Sequence, residues 1–239
     1  MSETLLSVSG LESGYGDIQV LWGVDLEVRT GEIVCLVGSN GVGKTTLLKT
    51  ISGLIKPKAG SIRMAGQELA GTTPEAALRA GIAHVPEGRR LFRTMSVRDN
   101  LLMGAYLRPA SDKAIGEDLD KVMRMFPRLA ERSSQDAATL SGGEQQMCAI
   151  GRGIMGRPKL LMIDELSLGL APKAVEQLSE SLKEINRSGI SILLVEQDVM
   201  TALELSDRGY VMDRGRMSMN GTSAVLAAAP EVREAYMGM

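Results

Sequence analysis

Ile33-Val34-Cys35-Leu36-Val37-Gly38-Ser39-Asn40-Gly41-Val42-Gly43-Lys44-Thr45-Thr46 is the stretch on which the reading of this chain turns. Positions 38–45 match the pattern G-x-x-x-x-G-K-[ST], and five apolar residues of strand length precede them. A helical pattern follows from 44 to about 52, and Gly53, Pro57 and Gly60 end it. The motif therefore lies between a strand and a helix, as its chemistry requires. Its glycines let successive backbone N–H groups turn inward around phosphates, and the helix N-terminus adds positive potential. Lys44 is placed to reach the β and γ phosphates, and Thr45 to offer its hydroxyl to Mg²⁺.

Further along, Leu160-Leu161-Met162-Ile163 is a fully apolar run that ends in Asp164-Glu165. Two carboxylates then stand at the C-terminal mouth of a buried strand, where open α/β sheets bind ligands. Asp164 is a candidate Mg²⁺ partner, either directly or from behind another ligand. Glu165 is the candidate to polarise a water, roughly 3 Å away, for in-line attack on the γ-phosphate.

A second apolar run at 190–195 and a helical stretch at 173–186 complete an alternation that argues for a parallel α/β core. The N-terminal part instead shows short β-rich runs at 5–8, 18–20, 24–28 and 33–37, punctuated by glycine and aspartate. Between 96 and about 140 the period is helical, with Ile115, Leu119, Val122, Met123 and Phe126 on one face, which predicts a small helical insertion. After Gly221 the pattern suggests two small helices around Pro230.

Bulk properties narrow the function. The chain has 239 residues, 44% of them hydrophobic, with 27 basic and 29 acidic residues and a formal charge of -2. This suits one large domain and offers no electrostatic excess for nucleic acid. Cys35 and Cys148 are too few for a disulfide framework and lack a metal-ligand spacing, which fits a reducing compartment. The opening residues carry no basic and apolar segments of a signal peptide, and the apolar runs fall far short of the roughly 20 residues that span a bilayer. Any membrane role is expected to come from a partner.

Leu140-Ser141-Gly142-Gly143-Glu144-Gln145-Gln146 resembles the LSGGQ signature of ABC ATPases, with Glu144 in the usual glutamine position. The resemblance extends over essentially the whole chain. It implies a P-loop NTPase (RecA-like) α/β core with an N-terminal antiparallel β subdomain and an inserted α-helical subdomain. On that basis 1–239 forms a single domain: core and β subdomain in 1–87 and 141–225, helical subdomain in 88–140, tail in 226–239. The cofactors implied are ATP and Mg²⁺. In the family, Ser141, Gly142, Gly143 and Glu144 face the γ-phosphate of ATP bound to the opposite protomer of a head-to-tail dimer. Tyr15 looks like the aromatic that stacks on adenine, and Glu87 falls where a glutamine usually touches Mg²⁺. Positions 167–170 occupy the loop where two protomers meet, and Val195-Glu196-Gln197-Asp198 stands where many members read V-T-H-D.

Three departures from the family pattern carry consequences. Glu87 brings a charge where glutamine is usual. Gln197 replaces the switch histidine: it can donate to the γ-phosphate but cannot titrate near neutrality, so hydrolysis is expected to lean on Glu165 and Lys44 and to lack a histidine-like inflection between about pH 6 and 7. Leu166 stands in place of the proline that usually stiffens the turn after the glutamate.

The segments V-P-E-G-R-R-L-F at 85–92, S-L-G-L-A-P at 167–172 and V-E-Q at 195–197 resemble the LivF-type ATPases of branched-chain amino-acid importers. This implies two transmembrane permease subunits, a second ATP-binding subunit of LivG type or a second copy of this chain, an extracytoplasmic solute-binding protein reached indirectly, no nucleic acid, and a peripheral position on the cytoplasmic face of the inner membrane. Related importers for urea, short amides or other amino acids share much of the pattern. Soluble ABC ATPases that act on DNA or ribosomes usually fuse two cassettes or insert long coiled coils, and neither is seen. His84 reads as a structural histidine, Arg89, Arg90, Arg93 and Arg98 as a solvated or partner-docking face, and Met and Leu residues near 91–103 as part of a groove for a transporter coupling helix.

Overall fold

The computed structural model describes residues 3–109 and 111–237, so positions 1 and 2 of the opening and 238 and 239 of the expected tail lie outside the described residues. Strands β1 (Thr4–Tyr15), β2 (Ile18–Arg29) and β3 (Ile33–Val37) lead into helix α1 (Lys44–Ile51). β4 (Ala59–Met64), β5 (Gln67–Glu68), α2 (Pro74–Arg79) and β6 (Ile82–Val85) follow, and then a run of helices: α3 (Val97–Met103), α4 (Ala114–Met125), α5 (Pro127–Glu131) and α6 (Gly142–Ile154). The chain then alternates β7 (Leu160–Asp164), α7 (Pro172–Arg187), β8 (Ser191–Glu196), α8 (Val199–Leu205) and β9 (Arg208–Asp213), and ends in β10 (Arg216–Thr222), α9 (Ser223–Ala228) and α10 (Pro230–Met237).

Among the described residues the strands form two sheets, one ordered β2-β1-β4-β5 and the other β10-β9-β3-β8-β7-β6. The first is antiparallel throughout. The second is parallel from β9 to β6, and β10 adds an antiparallel edge to the expected parallel core. The short N-terminal runs merge into two long strands. Gly10 and Gly23, which read as breaks, sit inside β1 and β2 at φ 57° and 64°, at shifts of register. A glycine in a strand marks a bulge as readily as an end.

The parallel strands are buried on both faces, and their alternation divides the core. Leu160, Met162, Leu193, Val195, Val34 and Leu36 pack with α1 and the antiparallel sheet. Leu161, Ile163, Ile192 and Leu194 face the helices, where Leu178, Leu182 and Ile185 of α7 meet Leu101, Val122 and Phe126. Of the predicted helical face, Leu119, Val122 and Phe126 are buried in this cluster, and Ile115 and Met123 pack against it. A third cluster, with Cys35 and Val37 at its base, seats α8 and α9. Both cysteines are free and buried. Among the described residues no helix is long and apolar enough to cross a membrane.

The helical layer is keyed to the sheet through α6, whose backbone α3 touches closely. A Cβ added at Gly104 would fall 1.8 Å from the carbonyl oxygen of Arg152. Gly104→Ala must therefore push the two helices apart. We expect a loss of about 2 kcal/mol, read as a lower urea midpoint at unchanged slope.

Candidate functional site

The loop between β3 and α1 forms one wall of a cavity of about 400 Å³. Gly43 caps α1 at φ 115°, and a Cβ there would come within 2.9 Å of Leu21 Cδ2, so only glycine gives the loop this path. The Lys44 ammonium, 5% exposed, donates to the carbonyl oxygens of Gly38 at 2.6 Å and Ser39 at 3.2 Å. It also lies 3.8 Å from Glu165 Oε1. Asn40, Gly41, Gly43, Lys44, Thr45 and Thr46 line the cavity together with Tyr15, Glu87, Glu165 and Gln197. Gly38, Ser39, Val42 and Asp164 are not on its wall: the first three shape the loop, and Asp164 lies behind it, 1% exposed.

Tyr15 ends β1 with half its ring exposed, its hydroxyl 3.5 Å from Thr46 Oγ1 and its ring 6.0 Å from Lys49 Nζ. Beside it lies Val20, an apolar wall residue that the sequence reading did not single out. Together they form the apolar end of a cavity whose opposite end is charged.

That charged end gathers acids. Burial pushes Asp164 above the usual carboxylate range, against a hydrogen bond from the Thr45 hydroxyl. Its Oδ2 is a buried oxygen without a hydrogen-bond partner. Glu165 is pushed up to about 7, first by burial and then by the neighbouring Glu196 carboxylate, with Lys44 opposing. Glu196 is raised by burial, although N–H and hydroxyl groups bind it. Its contact with Ser167 was not visible in the sequence, where Glu196 reads as part of the V-E-Q segment at the end of an apolar strand.

Glu165 holds a left-handed backbone at φ 56°, and its N–H donates to Val195 O at 2.9 Å. Leu166 is 1% exposed and packs into the helix-facing core. Burial of this side chain thus anchors the turn where a proline ring would have stiffened it. Asp198 caps α8 by accepting from the N–H groups of Met200 and Thr201.

Ser141, Gly142, Gly143 and Glu144 do not line this cavity. They open α6 with a capping box, in which the Ser141 N–H donates to Glu144 Oε2 at 2.8 Å and the Glu144 N–H to Ser141 Oγ at 3.3 Å. Burial opposes ionisation of Glu144, but those bonds and Arg132, 3.2 Å away, hold its carboxyl below the usual range. Glutamate at this position therefore has a local task in building the turn.

The loop that carries Glu87 is clamped from α6. Arg89 and Arg90 adopt φ 64° and 47°, and the Arg152 guanidinium donates to their carbonyl oxygens at 3.1 and 2.9 Å. Arg90, Arg93 and Arg98 are exposed, whereas Arg89 reaches toward Gln145 and Leu168 O. His84 lies outside the cavity, its Nδ1 3.3 Å from Ser52 Oγ, and burial lowers it to about 4, so the ring stays neutral.

The raised Glu165 fixes the sign of a stability effect. Its ordinary value, 4.5, applies unfolded, so the stabilising protonated form is complete below that pH and is lost as pH rises through about 7. In the nucleotide-free protein, Glu165→Gln should gain on the unsubstituted chain between pH 5 and 8, by about 3 °C in melting temperature or more.

A family model described as ABC transporter matches residues 21–167. The high-affinity branched-chain amino acid transport ATP-binding protein BraG of Pseudomonas aeruginosa is 48% identical, over 98% of this chain and 100% of its own length. A probable branched-chain amino acid transport ATP-binding protein LivF of Archaeoglobus fulgidus is 33% identical, over 98% of this chain and 99% of its own. Among solved structures, the ADP conformation of an ATP-binding cassette of an ABC transporter superposes with a TM-score of 0.86 at 25% identity, over the full length of both chains.

Proposed function

The chain belongs to the ABC transporter family of ATP-binding proteins, and from that premise we propose that it is the ATP-hydrolysing subunit of an importer of branched-chain amino acids. The observation that carries the catalytic part is the convergence of Lys44, Thr45 and Glu165 in one cavity with Tyr15 and Val20 at its apolar end. The name and 48% identity of the Pseudomonas relative support the solute.

In this reading the adenine stacks on Tyr15 against Val20, and the phosphates enter the N–H groups of the loop at the head of α1. Lys44 moves from its loop carbonyls to the β and γ phosphates. Gln197 donates to a γ-phosphate oxygen. Glu165 accepts a proton from water as the water oxygen bonds to the γ-phosphorus and the bond to the β–γ bridging oxygen breaks, which yields ADP and inorganic phosphate. The residues present fit a magnesium ion: the Thr45 hydroxyl, the unpartnered Asp164 Oδ2 and Glu87 are hard oxygen donors. Among the described residues no group of three or more His, Cys, Asp or Glu makes an all-protein cage, in keeping with a cation shared with phosphates and water. When bound, it supplies charge neutralisation on the phosphates.

The partners follow from two further surfaces. The capped turn at Ser141 to Glu144 lies off the chain's own cavity, which suits contact with nucleotide on a second subunit, of LivG type or a copy of this chain, in a head-to-tail pair. A groove of about 420 Å³ runs between the helical layer and β6, and the exposed apolar residues Leu54, Phe92, Met103 and Tyr106 line it. Exposed aromatic and Met side chains around a groove mark an interaction site, and we assign it to one coupling helix of a permease; the two permease subunits, one on each ATP-binding subunit of the pair, would hold the chain at the cytoplasmic face of the membrane. A solute-binding protein is engaged only through them.

Two measurements test the proposal. In purified protein, Glu165→Gln should cut the rate of ATP hydrolysis by about a hundredfold or more with nucleotide binding kept. At the native locus in the source cells, the same substitution should abolish uptake of labelled leucine and spare urea. Loss of urea uptake alone would move the protein to the sister importers, and loss of neither would overturn the transport reading.

A further inference from the structure

The turn after Glu165 is gripped by a carboxylate from the neighbouring strand. Glu196 closes β8 with no exposure to solvent. Its Oε1 accepts from the Ser167 N–H at 2.8 Å, and its Oε2 accepts from the Ser167 hydroxyl at 3.0 Å and the Gln197 N–H at 3.2 Å. A buried carboxylate is costly unless its lone pairs are satisfied, so the donors around it report what it is there to hold. Two of its four donors come from one residue, Ser167, which lies two positions after Glu165. The others are the N–H groups of Leu166, in the same turn, and of Gln197, another residue of the cavity wall.

Glu165 needs such a hold, because its left-handed backbone is sparsely populated by residues other than glycine and persists only where the surroundings over-determine it. Three anchors are present. The Glu165 N–H is bound to Val195, Leu166 is sunk in the core, and Ser167 is pinned by both its donors. The first two fix the entry to the turn and the third fixes its exit.

We propose that Glu196 is a positioning residue for ATP hydrolysis: by engaging both donors of Ser167 and the N–H of Gln197, it sets the turn that presents the Glu165 carboxylate to the cavity. The inference rests on the reading of Glu165 as the acceptor of the water proton. Only a carboxylate meets the donors at this site. An amide keeps one acceptor and turns an NH₂ group toward donors that need a lone pair.

The test compares Glu196→Gln, Ser167→Ala, Ser167→Thr and the Glu196→Gln/Ser167→Ala pair in steady-state hydrolysis by the full chain, with melting temperature and ATP affinity measured alongside. Glu196→Gln should lower kcat by about tenfold or more and leave KM for ATP within about twofold. Ser167→Ala should lower kcat by about fivefold, and Ser167→Thr, which keeps both donors, should restore it. The double variant should be no worse than Glu196→Gln alone, because both changes break one linkage. Unchanged kcat in Glu196→Gln, additive losses, or a fall explained by weaker ATP binding or a smaller folded fraction would overturn the inference. If Glu196→Gln does not fold, the contrast between Ser167→Ala and Ser167→Thr decides. Failure of the underlying reading is distinct, since in that case Glu165→Gln would itself retain hydrolysis.

Discussion

Four carboxylates gather around the Lys44 ammonium, and much of the site follows from that excess of acids. β7 and β8 run in register, with Asp164 opposite Val195, so their C-terminal ends bring Asp164, Glu165 and Glu196 to one edge of the sheet. Glu87 faces them across the cavity, and Lys44 approaches from the phosphate loop. Burial weakens the hydration of Asp164, Glu165 and Glu196, and nearby like charges push Asp164 and Glu165 further up. The response differs from residue to residue. Glu196 keeps its position by collecting N–H and hydroxyl donors, Asp164 leans on Thr45, and Glu165, beside Lys44 and under the charges of Glu196, Asp164 and Glu87, is pushed up to about 7. In the proposed mechanism this carboxylate is the group that accepts the proton from water.

Why the sheet can carry so many acids at one edge is a matter of its construction. β3, β7 and β8 are buried along their whole length, and the acids of β7 and β8 stand at their C-terminal ends. The two cores hold the strands by alternation, so the residues past the last apolar position are free to differ in chemistry without loss of packing. Leu166 illustrates the division. It turns back into the helix-facing core directly after Glu165, so the Glu165 carboxylate is flanked by a side chain that belongs to the fold. A proline would stiffen such a turn by fixing φ, whereas a buried leucine does so by making any displacement expose apolar surface.

Sequence reading recovered the parts of this arrangement whose chemistry is contiguous. Loop, lysine and threonine lie within eight positions, and an apolar run followed by two acids marks a strand end by itself. Residues whose meaning depends on another segment were harder to see. Val20 is one apolar residue among many in a strand-rich region, and only the fold of β2 over α1 brings it beside Tyr15. Glu196 and Ser167 are 29 residues apart and meet because β8 is adjacent to β7. Gly10 and Gly23 were ambiguous for a different reason: a left-handed residue serves equally to end a strand or to bend one, and the pairing partner decides which.

The loop after β6 joins the two halves of the molecule. Glu87 looks into the nucleotide cavity, while Pro86, Arg90 and Phe92 line the apolar groove on its other side. Arg152 ties the carbonyl oxygens of Arg89 and Arg90 to α6, and its guanidinium lies 5.7 Å from the Phe92 ring centroid. Arg89 adds contacts to Gln145 and to the turn at Leu168. With two successive left-handed residues held from outside, the loop has little freedom to absorb a displacement internally. A force applied at Glu87 is therefore passed to the groove wall and to the start of α6 together, because the same backbone atoms belong to both. The wall of the cavity at Glu87 and the wall of the groove at Pro86, Arg90 and Phe92 are in this sense a single constraint, and the short segment at 86–92 is where it is enforced.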